Sequence, residues 1–267
     1  MDVADDVAAD LAAEQGALDA VVAALEPEQW RVPTPSPGWT VADQIGHLTY
    51  FDGTATMAMT GPDAFDRHRR QLIKSFSDPG ALEAATLAVY RVMQPDVLLA
   101  TWREGRSQLG EAAAEVPADA RIEWYGPSMS KRSFLTARLM EAWAHGQDIV
   151  DAVGGERPAT DRLRHVAQLG VITRGWSYKN RGLEMPVGDV RVELTAPSGD
   201  VWAWGADDAV DSITGPAEDF CLVVAQRRHV DDTALVVSGA VARQWMEIAQ
   251  VFAGPPTTRS VTRGAHA

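Results

Sequence analysis

The sequence predicts an α-helical N-terminal four-helix bundle followed by a small α+β C-terminal domain. Three observations carry that prediction. Four long segments within residues 1–155 place apolar side chains at helical spacing, with loop signals between them. From Val190 the apolar period changes to two: Val190, Val192 and Leu194 alternate with Arg191, Glu193 and Thr195. Between these regimes lies Gly154-Gly155-Glu156-Arg157-Pro158, whose glycines and proline suit a boundary. The expected organisation is therefore a bundle over 1–155, an α+β domain over 156–256 and a disordered tail over 257–267.

The first helix spans residues 3–26, with Val7, Leu11, Leu18, Val22 and Leu25 on its apolar stripe, and Pro27 ends it. Pro33-Thr34-Pro35-Ser36-Pro37-Gly38 cannot be helical and reads as a rigid connector. Thr40 is the expected N-cap of the second helix, with Asp43 as a capping-box partner, and that helix runs past His47 to about Met59. Residues 62–77 are ambiguous between loop and a short helix covering one end of the bundle. The third long helix covers Pro95 to Glu115. After an aromatic loop around Trp124-Tyr125-Gly126-Pro127, Ser130 or Ser133 caps the fourth, which stops at Gly154-Gly155. In the second domain one helix is expected from Thr160 to Tyr178. A hairpin turning at Pro197-Ser198-Gly199-Asp200 comes next, then a helix after Pro216, a strand at 234–238 and a helix over 240–252.

Composition narrows the functional classes. The chain has 267 residues and a formal net charge of -13, which argues against a nucleic-acid or anionic-membrane partner. No apolar run reaches the ~18 residues that a spanning helix needs, and the acidic start Met1-Asp2-Val3-Ala4-Asp5-Asp6 does not resemble a signal peptide. A cytoplasmic protein acting on a small molecule, as monomer or homodimer, is the expectation. The single cysteine, Cys221, lies in an apolar helical run, so it reads as a core residue and not as a reactive thiol. Nucleotide-binding glycine motifs and serine-hydrolase elbows are absent.

The chemistry-bearing residues are His47, Glu141 and His145. Glu141 and His145 are four apart on a predicted helix, so their side chains lie one above the other and can reach a single ion. A third ligand must come from a neighbouring helix, and His47 is placed to supply it. Two imidazoles and a carboxylate form a common zinc set that leaves one position open, although residue type alone also admits nickel, iron or manganese. Spacing alone leaves the bland alternative standing, because Glu-x-x-x-His arises by chance on solvated helix faces. Asp148, one turn on, reads either as an acceptor orienting an imidazole or as a surface acid. Trp39, Trp143 and Tyr125 line a pocket or belong to the core. His165 and His229 have no partner at ligand spacing, and His68, in Arg67-His68-Arg69-Arg70, reads as part of a solvated basic face.

Two segments shift this balance. Trp39-Thr40-Val41-Ala42-Asp43-Gln44-Ile45-Gly46-His47-Leu48, after a Pro-Gly connector, resembles the second-helix motif of the DinB-like superfamily. Within that superfamily the chain is similar to the mycothiol-dependent maleylpyruvate isomerase group of actinobacteria. Ala137-Arg138-Leu139-Met140-Glu141-Ala142-Trp143-Ala144-His145 carries a Glu and a His at the separation of that family's ligands. The helix-plus-sheet order of the C-terminal part resembles the family's sterol-carrier-like domain. The resemblance implies His47, Glu141 and His145 as ligands of a divalent metal, most readily Zn2+, and mycothiol as the thiol cosubstrate. It further implies a catalytic arginine after an acid and an apolar helix; Asp219-Phe220-Cys221-Leu222-Val223-Val224-Ala225-Gln226-Arg227 matches loosely, with Gln226 where the family has Gly and Arg228 following.

Such an enzyme would activate the thiol for transfer to, or isomerisation of, a small electrophilic or unsaturated substrate, with Arg227 or Arg228 gripping a carboxylate. The alternatives are a metal-dependent hydrolase or lyase that needs no thiol, and a non-catalytic module that binds a metal or a small ligand.

Overall fold

The computed structural model describes residues 3–258. The chain divides into two compact units that meet between Arg157 and Pro158. The first unit is helical: α1 (Val3–Ala23), α2 (Val41–Thr60), α3 (Pro62–Leu72), α4 (Pro79–Arg91), α5 (Pro95–Glu115) and α6 (Lys131–Val153). The long helices α1, α2, α5 and α6 form the bundle, with α2 against both α5 and α6, and α1 against α6. Their shared core holds Leu18, Ile45, Leu48, Leu98, Trp102 and Ile149.

The caps of α2 and α6 are those the sequence implies. Thr40 Oγ1 accepts from the Asp43 backbone N–H, and Asp43 Oδ2 accepts in return from the Thr40 N–H, closing a capping box at the start of α2. Ser130 caps α6 through Ser133 N, and Gly154, at φ 67°, ends it in the left-handed conformation that glycine adopts without cost. The connector before α2 is pinned by an isolated bridge between Pro33 and Thr40.

Polar struts lock the bundle. Asp19 on α1 accepts from Arg103 and Arg106 on α5, and these guanidinium groups hold its carboxyl below the usual range. Deeper in, Asp52 on α2 takes both Nε and Nη2 of Arg138 on α6 at 3.1 and 2.9 Å, and its second oxygen accepts from Gln15 on α1. That one carboxylate joins three helices, and both it and Arg138 are buried.

Several elements depart from the sequence reading. Residues 62–77 form α3 and a 3-10 turn, and α4, for which no element was expected, lies against α2. Its start signal was nonetheless present: Asp78 caps Gly80 and Ala81 N–H, with Pro79 at the first helical position. The aromatic loop before α6 contains a two-residue hairpin, β1 (Arg121–Ile122) with β2 (Met129–Ser130).

The second unit begins with α7 (Leu163–Ile172) and α8 (Arg174–Lys179) in place of one continuous helix. Thr173 makes the break: its hydroxyl donates back to the Leu169 and Gly170 carbonyls, competing with the helical backbone. The sheet runs β4 (Val201–Trp204), β3 (Val190–Thr195), β5 (Asp211–Pro216), β6 (Val236–Ser238), with β3 and β5 parallel and the other pairs antiparallel. The hairpin at 197–200 is as expected; β5 is additional, since only Ile213 among its residues is buried and its periodic signal is weak. α9 (Ala217–Val224) follows Pro216 as expected, whereas α10 (Ala240–Ile248) stops four residues short of the expected end. Thr257, assigned by sequence to the tail, accepts and donates hydrogen bonds with Gln226. The rest of that tail, 259–267, lies outside the described residues.

Candidate metal centre

His47 sits in the second turn of α2, while Glu141 and His145 occupy successive turns of α6. The pairs 47–141 and 52–138 occur in opposite order along the two helices, so α2 and α6 run antiparallel here. Each helix places its ligand candidate opposite the other's. Glu141 Oε2 lies 3.3 Å from His47 Nε2 and 3.0 Å from His145 Nε2. One ligand atom from each of the three lies within 4.8 Å of the others. Donors about 2.0–2.1 Å from a tetrahedral ion stand roughly 3.3 Å apart, so the three residues fit a shared zinc-sized cation. Among the described residues three side chains converge, which leaves room for an exogenous group.

The surroundings favour a neutral imidazole at His47. Burial, aided by the neighbouring His145, pushes the His47 imidazole down to about 4, so near neutral pH it offers a lone pair. Burial opposes ionisation of Glu141, yet the His145 and His47 rings at its Oε2 outweigh it and hold the carboxyl well below its usual range. Aromatic rings close around these groups. Trp39 stacks on His145 with centroids 5.9 Å apart, and Phe51, one turn beyond His47, lies 4.6 Å from its ring. A site walled by apolar rings has a low local dielectric, which strengthens every charge interaction inside it.

Gly46 allows the close approach of a neighbouring helix beside His47. A Cβ there would stand 2.9 Å from Cβ of Tyr90 on α4.

The other sequence candidates fall in varied places. His68 corrects the solvated-face reading: it is half-buried, with Nε2 3.0 Å from Tyr50 Oη and 3.1 Å from Tyr125 Oη. Burial lowers its pKa. Asp148 is buried and accepts from Ser36 Oγ, while the group meeting His145 Nδ1 is the Gln44 amide oxygen. Sequence reasoning missed Gln44 as well as Arg138. Each precedes a ligand candidate by three residues and so shares its helix face, the one signal that pointed to them. Trp143 is buried beside Arg157. Cys221 is fully buried, and burial drives its thiol well above the ordinary range.

Arg227 belongs to the second unit, in the turn after α9, where its Nη1 donates to the Ala225 carbonyl. The residue before it, Gln226, has φ 58°, in the left-handed region that a glycine would fill without strain. Its side-chain amide donates to the Ala249 and Thr257 carbonyls. Arg228 donates to the Arg227 carbonyl.

Comparison with known proteins assigns the first unit. The family described as mycothiol maleylpyruvate isomerase N-terminal domain matches residues 11–150, a range that includes His47, Glu141 and His145. The chain belongs to this family. It is a family of enzymes, and the chain is accordingly an enzyme of the isomerase and transferase kind. Two uncharacterized proteins of Mycobacterium tuberculosis, from strains CDC 1551 / Oshkosh and ATCC 25618 / H37Rv, are each 45% identical over 251 residues, 93% of this chain and 95% of theirs. Among solved structures, a mycothiol-dependent maleylpyruvate isomerase carrying a histidine-to-alanine substitution aligns with TM-score 0.59 at 17% identity, over 88% of this chain and 92% of that one. The isomerase itself aligns with TM-score 0.55 at 16% identity, over 84% and 89%. Those structures establish the shared fold of helices followed by a sheet-containing part. A second family, described as wyosine base formation, matches residues 187–238, from just before β3 to the end of β6.

Proposed function

We propose that this enzyme holds one divalent metal ion, Zn2+ by preference, on His47, Glu141 and His145, and uses it to activate mycothiol for attack on a small electrophilic or unsaturated substrate. The observation that carries the reading is the meeting of two imidazole nitrogens at one carboxylate oxygen, 3.3 and 3.0 Å away, on two antiparallel helices. Bound there, such an ion would lower the pKa of a thiol at its open position, so that thiolate is available at neutral pH. The family to which the first unit belongs supports mycothiol as that thiol.

The chain's own residues divide the work. His47 and His145 present imidazole nitrogens from opposite helices, and Glu141 supplies the anionic charge. Trp39 and Phe51 flank the two imidazoles and limit water around them. The chain's one cysteine is fully buried with its thiol pKa raised, which supports a nucleophile supplied from outside. Arg227 is assigned to a substrate carboxylate on the resemblance of segment 219–227, and the left-handed turn at Gln226 is consistent with the family's glycine there. Nothing observed favours a thiol-free hydrolase or lyase.

The test is zinc titration followed by thiol addition. Zinc-loaded protein is expected to bind mycothiol with release of about one proton per site, and His47→Ala to lose both metal and turnover. Turnover undiminished without any thiol would overturn the thiol reading while leaving the metal site intact.

A further inference from the structure

We infer that Gln44, held by Thr34, is a positioning residue that fixes the tautomer of His145 and so aims its Nε2 at the metal; this rests on the metal reading above. Thr34 has one hydroxyl proton, and its Oγ1 donates it to the Trp39 carbonyl at 3.0 Å. Toward Gln44, 2.8 Å away, Thr34 therefore presents lone pairs, so the atom facing it must be the amide nitrogen. The Gln44 carbonyl oxygen is then turned to His145 Nδ1, with which it is in hydrogen-bond contact. A carbonyl oxygen only accepts, so His145 carries its proton on Nδ1. In the neutral ring this tautomer directs the Nε2 lone pair at Glu141 Oε2, 3.0 Å away.

A lone pair and a carboxylate oxygen repel at that distance unless a cation or a proton lies between them. The relay thus prepares His145 as a ligand and disfavours the tautomer that would merely donate a hydrogen bond to Glu141. Gln44 is fully buried and cannot exchange its partners for water. The relay also ties the ligand to the connector. Thr34 and Trp39 flank the proline-rich turn, and Trp39 both stacks on His145 and donates through Nε1 to Glu83 on α4. The conformation of residues 33–40 is thereby read out at the imidazole.

The experiment compares wild type with Gln44→Leu, Gln44→Glu, Thr34→Val and Thr34→Ser, using zinc affinity by chelator competition and the absorption of cobalt-loaded protein. Proton-detected 15N correlation of the histidine ring gives the tautomer directly. The expected result is protonated Nδ1 and metal-bound Nε2 at His145 in the zinc-loaded wild type. Gln44→Leu should weaken zinc about 10–100-fold and alter the cobalt spectrum, as loss of a ligand histidine's partner typically does. Gln44→Glu, which keeps the acceptor, should retain affinity within a few-fold, as should Thr34→Ser; Thr34→Val should fall between. Circular dichroism melting separates these effects from misfolding, and if Gln44→Leu does not fold, the Thr34→Val against Thr34→Ser contrast decides. Metal on Nδ1, or unchanged zinc affinity and cobalt spectrum in Gln44→Leu, would overturn the inference while leaving the metal site standing. Wild-type protein that takes up no zinc would overturn the metal reading and this inference together.

Discussion

At the scale of single residues, the most telling positions are those where the neighbours dictate a protonation state or a backbone conformation. His68 is one. Burial lowers its pKa in the folded state relative to the ordinary 6.5. The unfolded chain then binds the extra proton first, so stability is full above about pH 6.5 and falls as pH drops through the window below it. The unfolding free energy of the wild type should therefore fall more steeply between pH 7.5 and 5.5 than that of His68→Gln; equal slopes by urea denaturation would contradict this. Gln226 is another. A non-glycine residue at φ 58° costs about 1–2 kcal/mol of left-handed strain, offset by its side-chain bonds to residues 249 and 257. Gln226→Ala keeps the strain and loses the bonds, so it should be less stable than Gln226→Gly by about 1 kcal/mol in chemical denaturation. His68 was misjudged from sequence because its flanking arginines suggested a solvated face. Its tyrosine partners, Tyr50 and Tyr125, lie 18 and 57 residues away and only the fold brings them together.

At the scale of elements, what was legible was local. The Thr40–Asp43 box, the Ser130 cap and the Gly154 stop are decided by residues within a few positions of one another, and the structure has all three. The break at Thr173 and the strand at 211–216 depend on back-bonding and on β3 as a partner, and neither announces itself in apolar periodicity. The candidate ligands were legible only as a spacing and a motif. Gln44, Thr34, Asp52 and Arg138, which hold the helices that present them, act across tens of residues and left little trace. Thr40→Ala should lower stability by about 1 kcal/mol. Asp52→Ala, which strands a buried Arg138 where α1, α2 and α6 meet, should cost about 3–5 kcal/mol. A smaller loss in thermal or urea unfolding than that of Thr40→Ala would show that the three-helix junction is not a strut.

At the scale of the molecule, two compact units meet at Arg157 and Pro158, and the family assignment falls on the first of them. A net charge of -13 makes the general field unfavourable for an anionic substrate, so a local cation is needed where such a substrate binds. Zinc would supply one, and its binding to the folded chain alone would raise stability by about 2.7 kcal/mol at a hundredfold excess over Kd. That should appear as a rise in Tm of several degrees that a chelator reverses. The proposed metal centre stands on the three residues that would hold the ion. X-ray absorption at the zinc edge, with metal quantified per chain, tests it most directly. It predicts one zinc with two imidazole nitrogens and one carboxylate oxygen at about 2.0–2.2 Å, and none retained by His47→Ala. Zinc bound in full by the His47→Ala variant, or a coordination sphere without two imidazoles, would contradict it.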